Sequence, residues 1–280
     1  MAGRQARPRA PAPGPRGMTL ALAATLIGLG FGGAFVSGLL GVGGAIVMIP
    51  LLLYVPPLLD VGTLSVKAVA GVTMVQVMVA ATSGMIAHRR HRNVDTELAW
   101  IGGVAMALGS LLGALGSYYV DDRWLLLVFA IMVTAACALI LVPADALVSP
   151  PPVDGPQGFS RPRAVTVCGG VGLGGGLVGA GGAFLLIPLL LVVVGVPIRV
   201  TIGSSLAITA LSSLTGVIGK AATGQVPYES ALIVALGAVP GAQLGAAVSC
   251  RLSGDQLKLA LGLVIVVIAI RVWWDVLASH

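Results

Sequence analysis

The sequence predicts an all-α polytopic membrane protein: about eight transmembrane helices in two homologous four-helix halves, with Gly-rich broken helices. Three observations predict it. The chain has 280 residues, 57% hydrophobic and only 9% charged, whereas a soluble domain carries roughly a quarter of its residues charged. The apolar residues come in blocks of about twenty, the length a helix needs to cross roughly 30 Å of hydrocarbon. The blocks do not alternate, which excludes a barrel strand pattern. Finally, "GLLGVGGAIVMIPLLL" from Gly38 returns as "GLVGAGGAFLLIPLLL" from Gly176.

In order, the blocks predict helices over 19–54, 64–88, 98–119 and 123–142, then 164–194, 199–220, 229–250 and 255–277. Residues 1–17 form a basic, Pro-rich tail that cannot bury a core and is expected to be disordered, with Met18 a second candidate start. Residues 18–142 make the first membrane repeat, 143–163 a Pro-rich linker, and 164–280 the second repeat. Beyond the opening motif, Gly71, Gly84, Gly109 and Gly113 recur 132 residues later as Gly203, Gly216, Gly241 and Gly245. That register reads as an internal duplication. An even number of spans per half gives repeats of like orientation. Re-entrant hairpins at the Gly clusters would make the number odd and invert them.

Arg89, Arg90 and Arg92, then Arg161 and Arg163, then Lys220 fall on the side of the basic tail in this eight-span reading. The chain is thus expected to be a multi-pass protein of the cell (inner or plasma) membrane with both termini cytoplasmic. The surplus of positive charge therefore needs no nucleic acid to explain it, and the bilayer itself is the expected partner.

Several patterns carry no chemistry. "GLGFGG" and "GVGLGG" fit a dinucleotide fingerprint but lack its strand, helix and acidic residue. No Walker A motif is present, so pumping would have to draw on a proton or ion gradient. "HRRHR" at His88 has two histidines and no further ligand types nearby, and Cys137, Cys168 and Cys250 sit in apolar blocks without metal spacing. No metal or other cofactor is expected, and no nucleophile and base share a depth, so the chain does not read as an enzyme. Gly109 with Gly113 and Gly241 with Gly245 are GxxxG pairs that read as close helix packing.

The Gly clusters read differently. Gly41, Gly43 and Gly44, like Gly179, Gly181 and Gly182, are placed near mid-membrane, where a helix break exposes free N–H groups and the positive end of a helix dipole. Unwound backbone at that depth must line protein or a cavity. Two facing breaks would make one central site for a small anion. Thr73 and Gln76 in the second span, Ser204 and Ser205 in the sixth, and Gln243 in the seventh are the candidate neutral donors around it. Lys67 and Lys220 lie near helix ends, where an ammonium can snorkel or draw an anion to a pathway mouth.

The two motifs resemble the TauE/SafE family of sulfite exporters and related anion permeases, over both halves but not the tail or linker. The resemblance implies an eight-helix secondary carrier of sulfite, an organosulfonate or a related organic anion, working by alternating access. It places family motif positions on Gly41, Gly43, Gly44 and Pro50, and on Gly179, Gly181, Gly182, Pro188, Pro197, Gly203 and Ser204. One departure is that "GVTMVQ" in the first half stands where the second reads "GSSLAI". An anion channel and a non-transporting membrane scaffold are the competing classes. The anion, the direction, the coupling ion and the oligomeric state are not legible in the sequence.

Overall fold

The computed structural model describes residues 20–89, 95–141, 160–196 and 198–278. The tail, most of the linker, Arg90, Arg92 and Pro197 lie outside the described residues. There are ten α-helices and no strands among those described, with a short 3-10 turn at Ser117–Tyr119. The first half contains α1 (Leu20–Leu40), α2 (Ala45–Leu58), α3 (Val66–Arg89), α4 (Thr96–Gly116) and α5 (Asp122–Leu141). The second contains α6 (Arg161–Val178), α7 (Ala183–Leu189), α8 (Ile198–Ala222), α9 (Tyr228–Ser249) and α10 (Gly254–Ala278), with α7 running on into a π-helical turn at Leu190–Val194. Among the described residues seven helices, α1, α3, α4, α5, α8, α9 and α10, are long and apolar enough to cross a membrane. The chain is an all-helical polytopic membrane protein, as expected.

The expected spans 19–54 and 164–194 are each split in two, so eight blocks become ten helices. At Gly41, Gly43 and Gly44 the backbone takes φ of 74°, 72° and 73°, and at Gly179, Gly181 and Gly182 it takes 78°, 61° and 73°. Left-handed residues in series cannot continue a right-handed helix, so each helix ends there. The packing beyond the break shows that the chain doubles back. A Cβ on Gly33 would lie 3.1 Å from the sulfur of Met48, a residue that an unbroken helix would carry about 22 Å further along. The matching pair is Val171, whose carbonyl oxygen would lie 2.9 Å from a Cβ on Gly182.

The glycine contacts also fix helix direction. Gly237, Gly241 and Gly245 of α9 meet the carbonyls of Ile27, Phe31 and Phe35 on α1, so partners ascend together and the helices are parallel. Gly109 and Gly113 of α4 meet the carbonyls of Gly169 and Leu173 on α6 in the same sense. With no hydrophobic drive between helices in lipid, these small-residue stripes supply contact by close backbone approach, and the GxxxG pairs serve as packing. Likewise α1 lies parallel to α3, with Gly33 beside Gln76 and Gly38 beside Gly84, and α4 parallel to α8, with Gly102 beside Ile208 and Gly219 beside Ala114.

Across the middle the sense reverses. Gly84 of α3 meets Leu206 of α8, while Gly216 of α8 meets Met74 of α3. Since α3 and α8 hold matching positions of the two halves, the halves are inverted relative to each other. Of the two relations the sequence left open, like orientation or inversion, the structure takes the inverted one. The return through the glycine turn and α2, between the parallel helices α1 and α3, adds a pass to each half and makes the count odd.

The extra pass also moves the loops. The start of α1 and the end of α10 share one face, together with Lys67, Asp121 and Lys220. The end of α3 at Arg89 and the start of α6 at Arg161 and Arg163 lie on the opposite face, where Arg161 Nε donates to Glu97 Oε1 at 2.7 Å. The expectation that these arginines and Lys220 share a side is therefore overturned. α5 and α10 close the flank, with Phe129 of α5 edge-on to Phe184 of α7 at 5.9 Å and Arg271 of α10 over the ring of Tyr54 in α2 at 4.4 Å.

Candidate functional site

The two short helices start at the same place. A Cβ on Gly43 would stand 3.2 Å from Cβ of Ala183 and 3.4 Å from both Val77 Cγ1 and Thr209 Cγ2. A Cβ on Gly181 would meet the same two side chains, at 2.6 Å and 3.3 Å. Val77 and Thr209 occupy matching positions near the midpoints of α3 and α8. The pseudo-twofold relation between the halves thus passes between the two glycine turns, at the centre of the protein.

Each turn delivers a helix N-terminus there. The first bonded amides of α2 are those of Val47 and Met48, both donating to the Gly44 carbonyl, and those of α7 are Leu185 and Leu186, donating to Gly182. The N–H groups of Ala45, Ile46, Ala183 and Phe184 precede them, and neither Gly44 nor Gly182 has a side chain with which to cap them. Open amides at the positive end of a helix dipole suit an anion. Pro50 and Pro188 lie inside these helices, each removing one further donor, and the π-helical turn follows Pro188.

Several buried polar side chains on α1, α3, α4 and α8 are unsatisfied. Thr73 Oγ1, both amide atoms of Gln76, Thr209 Oγ1, Ser212 Oγ, Ser110 Oγ and Ser37 Oγ are fully buried without a hydrogen-bond partner. Thr73 and Gln76 are three apart on α3, and Thr209 and Ser212 three apart on α8, so each pair shares a helix face. Gln76 Nε2 reaches the first turn directly, 3.0 Å from where a Cβ on Gly44 would sit. A buried amide or hydroxyl left unpaired costs on the order of 1–3 kcal/mol. Buried polar groups are usually paired, so these unpaired ones stand out among the buried side chains.

Of the sequence candidates, Gly41, Gly43, Gly44, Gly179, Gly181, Gly182, Thr73 and Gln76 are gathered at this centre or in the turns that lead to it. Ser204 and Ser205 are committed elsewhere. Ser204 Oγ accepts from the Asp95 amide at 2.9 Å at the start of α4, and Ser205 Oγ donates to the carbonyls of Gly41 at 3.1 Å and Ile202 at 2.9 Å, bracing the first turn. Gln243 is exposed on the outer surface of α9. Its expected place in the site is corrected: the α9 face presented to α1 carries Gly237, Gly241 and Gly245, and a residue two positions from Gly241 points the opposite way. Gly203 is buried on α8. Ser37 and Ser110 sit among the glycines and small residues of their helices, with no sequence pattern that sets them apart. Each was detectable only as a hydroxyl within a run of small residues.

Among the described residues no group of His, Cys, Asp and Glu could hold a metal. A family model described as sulfite exporter TauE/SafE matches residues 26–272. The chain is 31% identical to a "Probable membrane transporter protein" of Xylella fastidiosa strain Temecula1, over 91% of this chain and 97% of that one. It is 24% identical to the "Probable membrane transporter protein YunE" of Bacillus subtilis strain 168, over 89% of this chain and 97% of that one. No solved structure matches it.

Proposed function

Because the chain belongs to the sulfite exporter TauE/SafE family, a membrane transporter family, we propose that it is a secondary transporter of a small sulfur-containing anion, sulfite or an organosulfonate. The anion binds where α2 and α7 begin. The observation that carries this reading is the meeting of Gly43 and Gly181 against Val77 and Thr209, which sets two uncapped N-termini and the unpaired Gln76 and Thr209 at one central point. The four open amides supply fixed donors and partial positive charge, and the amide of Gln76 with the hydroxyls of Thr73, Thr209 and Ser212 completes a neutral donor shell. Such a shell holds an oxyanion without burying a full counter-charge, whose desolvation would cost several kcal/mol.

Alternating access follows from the inversion. In an inverted pair each half can adopt the arrangement its partner holds, and exchanging the two arrangements moves the opening from one face to the other around a fixed centre. The glycine turns are where each short helix joins its long one, and they take up that change. A proton or ion gradient provides the driving force.

Proteoliposomes carrying the purified full chain test the reading. Flux of radiolabelled sulfite or of a sulfonate should appear under an imposed proton or ion gradient and saturate with concentration. Absence of flux for every sulfur anion under every gradient would remove the proposal.

A further inference from the structure

Two lysines outside the central site are paired with no acid. Lys220, near the end of α8, is fully buried, and its Nζ donates to Ser117 Oγ at 2.7 Å, the Leu177 carbonyl at 3.0 Å and Gln225 Oε1 at 3.2 Å. Lys67, half-buried near the start of α3, donates from Nζ to the Tyr118 carbonyl at 3.0 Å and lies over the Tyr118 ring at 5.9 Å. The two ammonium groups thus grip consecutive residues of one tight turn, and every acceptor they have is neutral. An ion pair, Arg161 with Glu97, lies on the other face.

The helix C-termini at Gly116 and Val178 favour one cation here. They do not call for a second beside it, and ionisable groups at membrane depth are costly enough that function is the default account of them. Their position fits a pathway. Leu177 lies two residues before Gly179 of the second glycine turn, and Gly179 rests on the Ala70 carbonyl, one helical turn along α3 from Lys67. Along α8, Lys220 stands eleven residues from Thr209, about 16 Å from the centre at 1.5 Å per residue. The duplication keeps the pattern, since the positions matching Lys67, Lys220 and Ser117 in the other half are Arg199, His88 and Ser249.

We propose that Lys220 and Lys67, with the hydroxyl of Ser117, form an outer oxyanion site on the face where α1 begins, at which the anion is collected before it passes the second glycine turn. This rests on the anion-transport reading and adds to it the point of entry on one face. In this structure Lys220 is held by the Leu177 carbonyl, and an arriving oxyanion takes over that bond, freeing the end of α6 to move with its turn.

The test is sulfite flux measured from each face separately, in proteoliposomes where one orientation is silenced at an introduced cysteine. Lys220→Met should raise KM for entry at the α1-start face by about tenfold or more, the scale on which a focused cationic mouth concentrates an anion. Lys220→Arg should recover most of that loss, and KM at the opposite face should stay at the wild-type value. Equal changes at both faces, or none, would overturn the outer site while leaving transport intact. A wild type without flux would overturn the transport reading and this site with it. Should Lys220→Met fail to fold, Lys67→Met, at a half-buried position, is read by the same two criteria and decides alone.

Discussion

The two glycine turns share a backbone and differ in what surrounds it. In the first, Gln76 approaches Gly44, Ser205 braces the Gly41 carbonyl and Ser37 lies on the helix leading in. In the second, Ile208 stands at the position matching Gln76 and Gly175 at that matching Ser37, and Gly182 is enclosed by Val171 and Met106. Thr73 is the match of Ser205, yet its hydroxyl has no partner while that of Ser205 has two. The two halves therefore share the break, which depends on glycine, and differ in the side chains around it. The first turn has Gln76 and Ser205 against it, and the second is the more tightly enclosed.

The largest expected effect is all or none and tests the inversion on which the comparison rests. With Cys137, Cys168 and Cys250 replaced by serine, single cysteines at Gly62 and at Gly224 should react with an impermeant thiol reagent from the same side, and one at Ser253 from the opposite side. An eight-span chain of like-oriented repeats would instead place Gly62 and Gly224 on opposite sides.

Next in size is the difference in polarity. Gln76→Leu removes two unpaired buried atoms, so thermal melting should be unchanged or raised, while sulfite flux should fall at least about tenfold, as expected when about 1.4 kcal/mol of ligand contact is lost. A gain in stability with flux intact would make Gln76 a packing residue and leave the two turns functionally alike.

The smallest effect separates the turns as hinges. Alanine is strained at both Gly41 and Gly179 by their positive φ, but on Gly179 the Cβ would also strike the Ala70 carbonyl, and on Gly41 it first meets the Ile202 side chain at 2.9 Å. Gly179→Ala should cost about 1–3 kcal/mol and more than Gly41→Ala, measured as the relative loss of melting temperature in detergent. The reverse order would assign the tighter packing to the first turn.

Membrane residence, helical class, the glycine breaks and their duplication were all readable in the sequence, because each depends on local composition or spacing. Glycines in series disfavour a helix whatever surrounds them, and a twenty-residue apolar block has few other uses. Thr73 and Gln76 could be picked out because polar side chains are expensive in a span. The same reasoning failed for Gln243, since expense says nothing about which way a helix is turned, and α9 is turned by the glycine stripe that packs on α1. It could not separate Ser205, bonded to the first turn, from Thr73, left free.

Tertiary structure alone decided whether the chain continues past each break or folds back. Left-handed glycines permit either course locally, and the packing of Met48 against Gly33 and of Gly182 against Val171 selects the return. From that one choice follow the odd number of passes, the inversion of the halves, the separation of Lys220 from the arginine loops and the meeting of two helix N-termini at the centre. All of these are relations between segments far apart in the chain, which the composition of each segment does not contain.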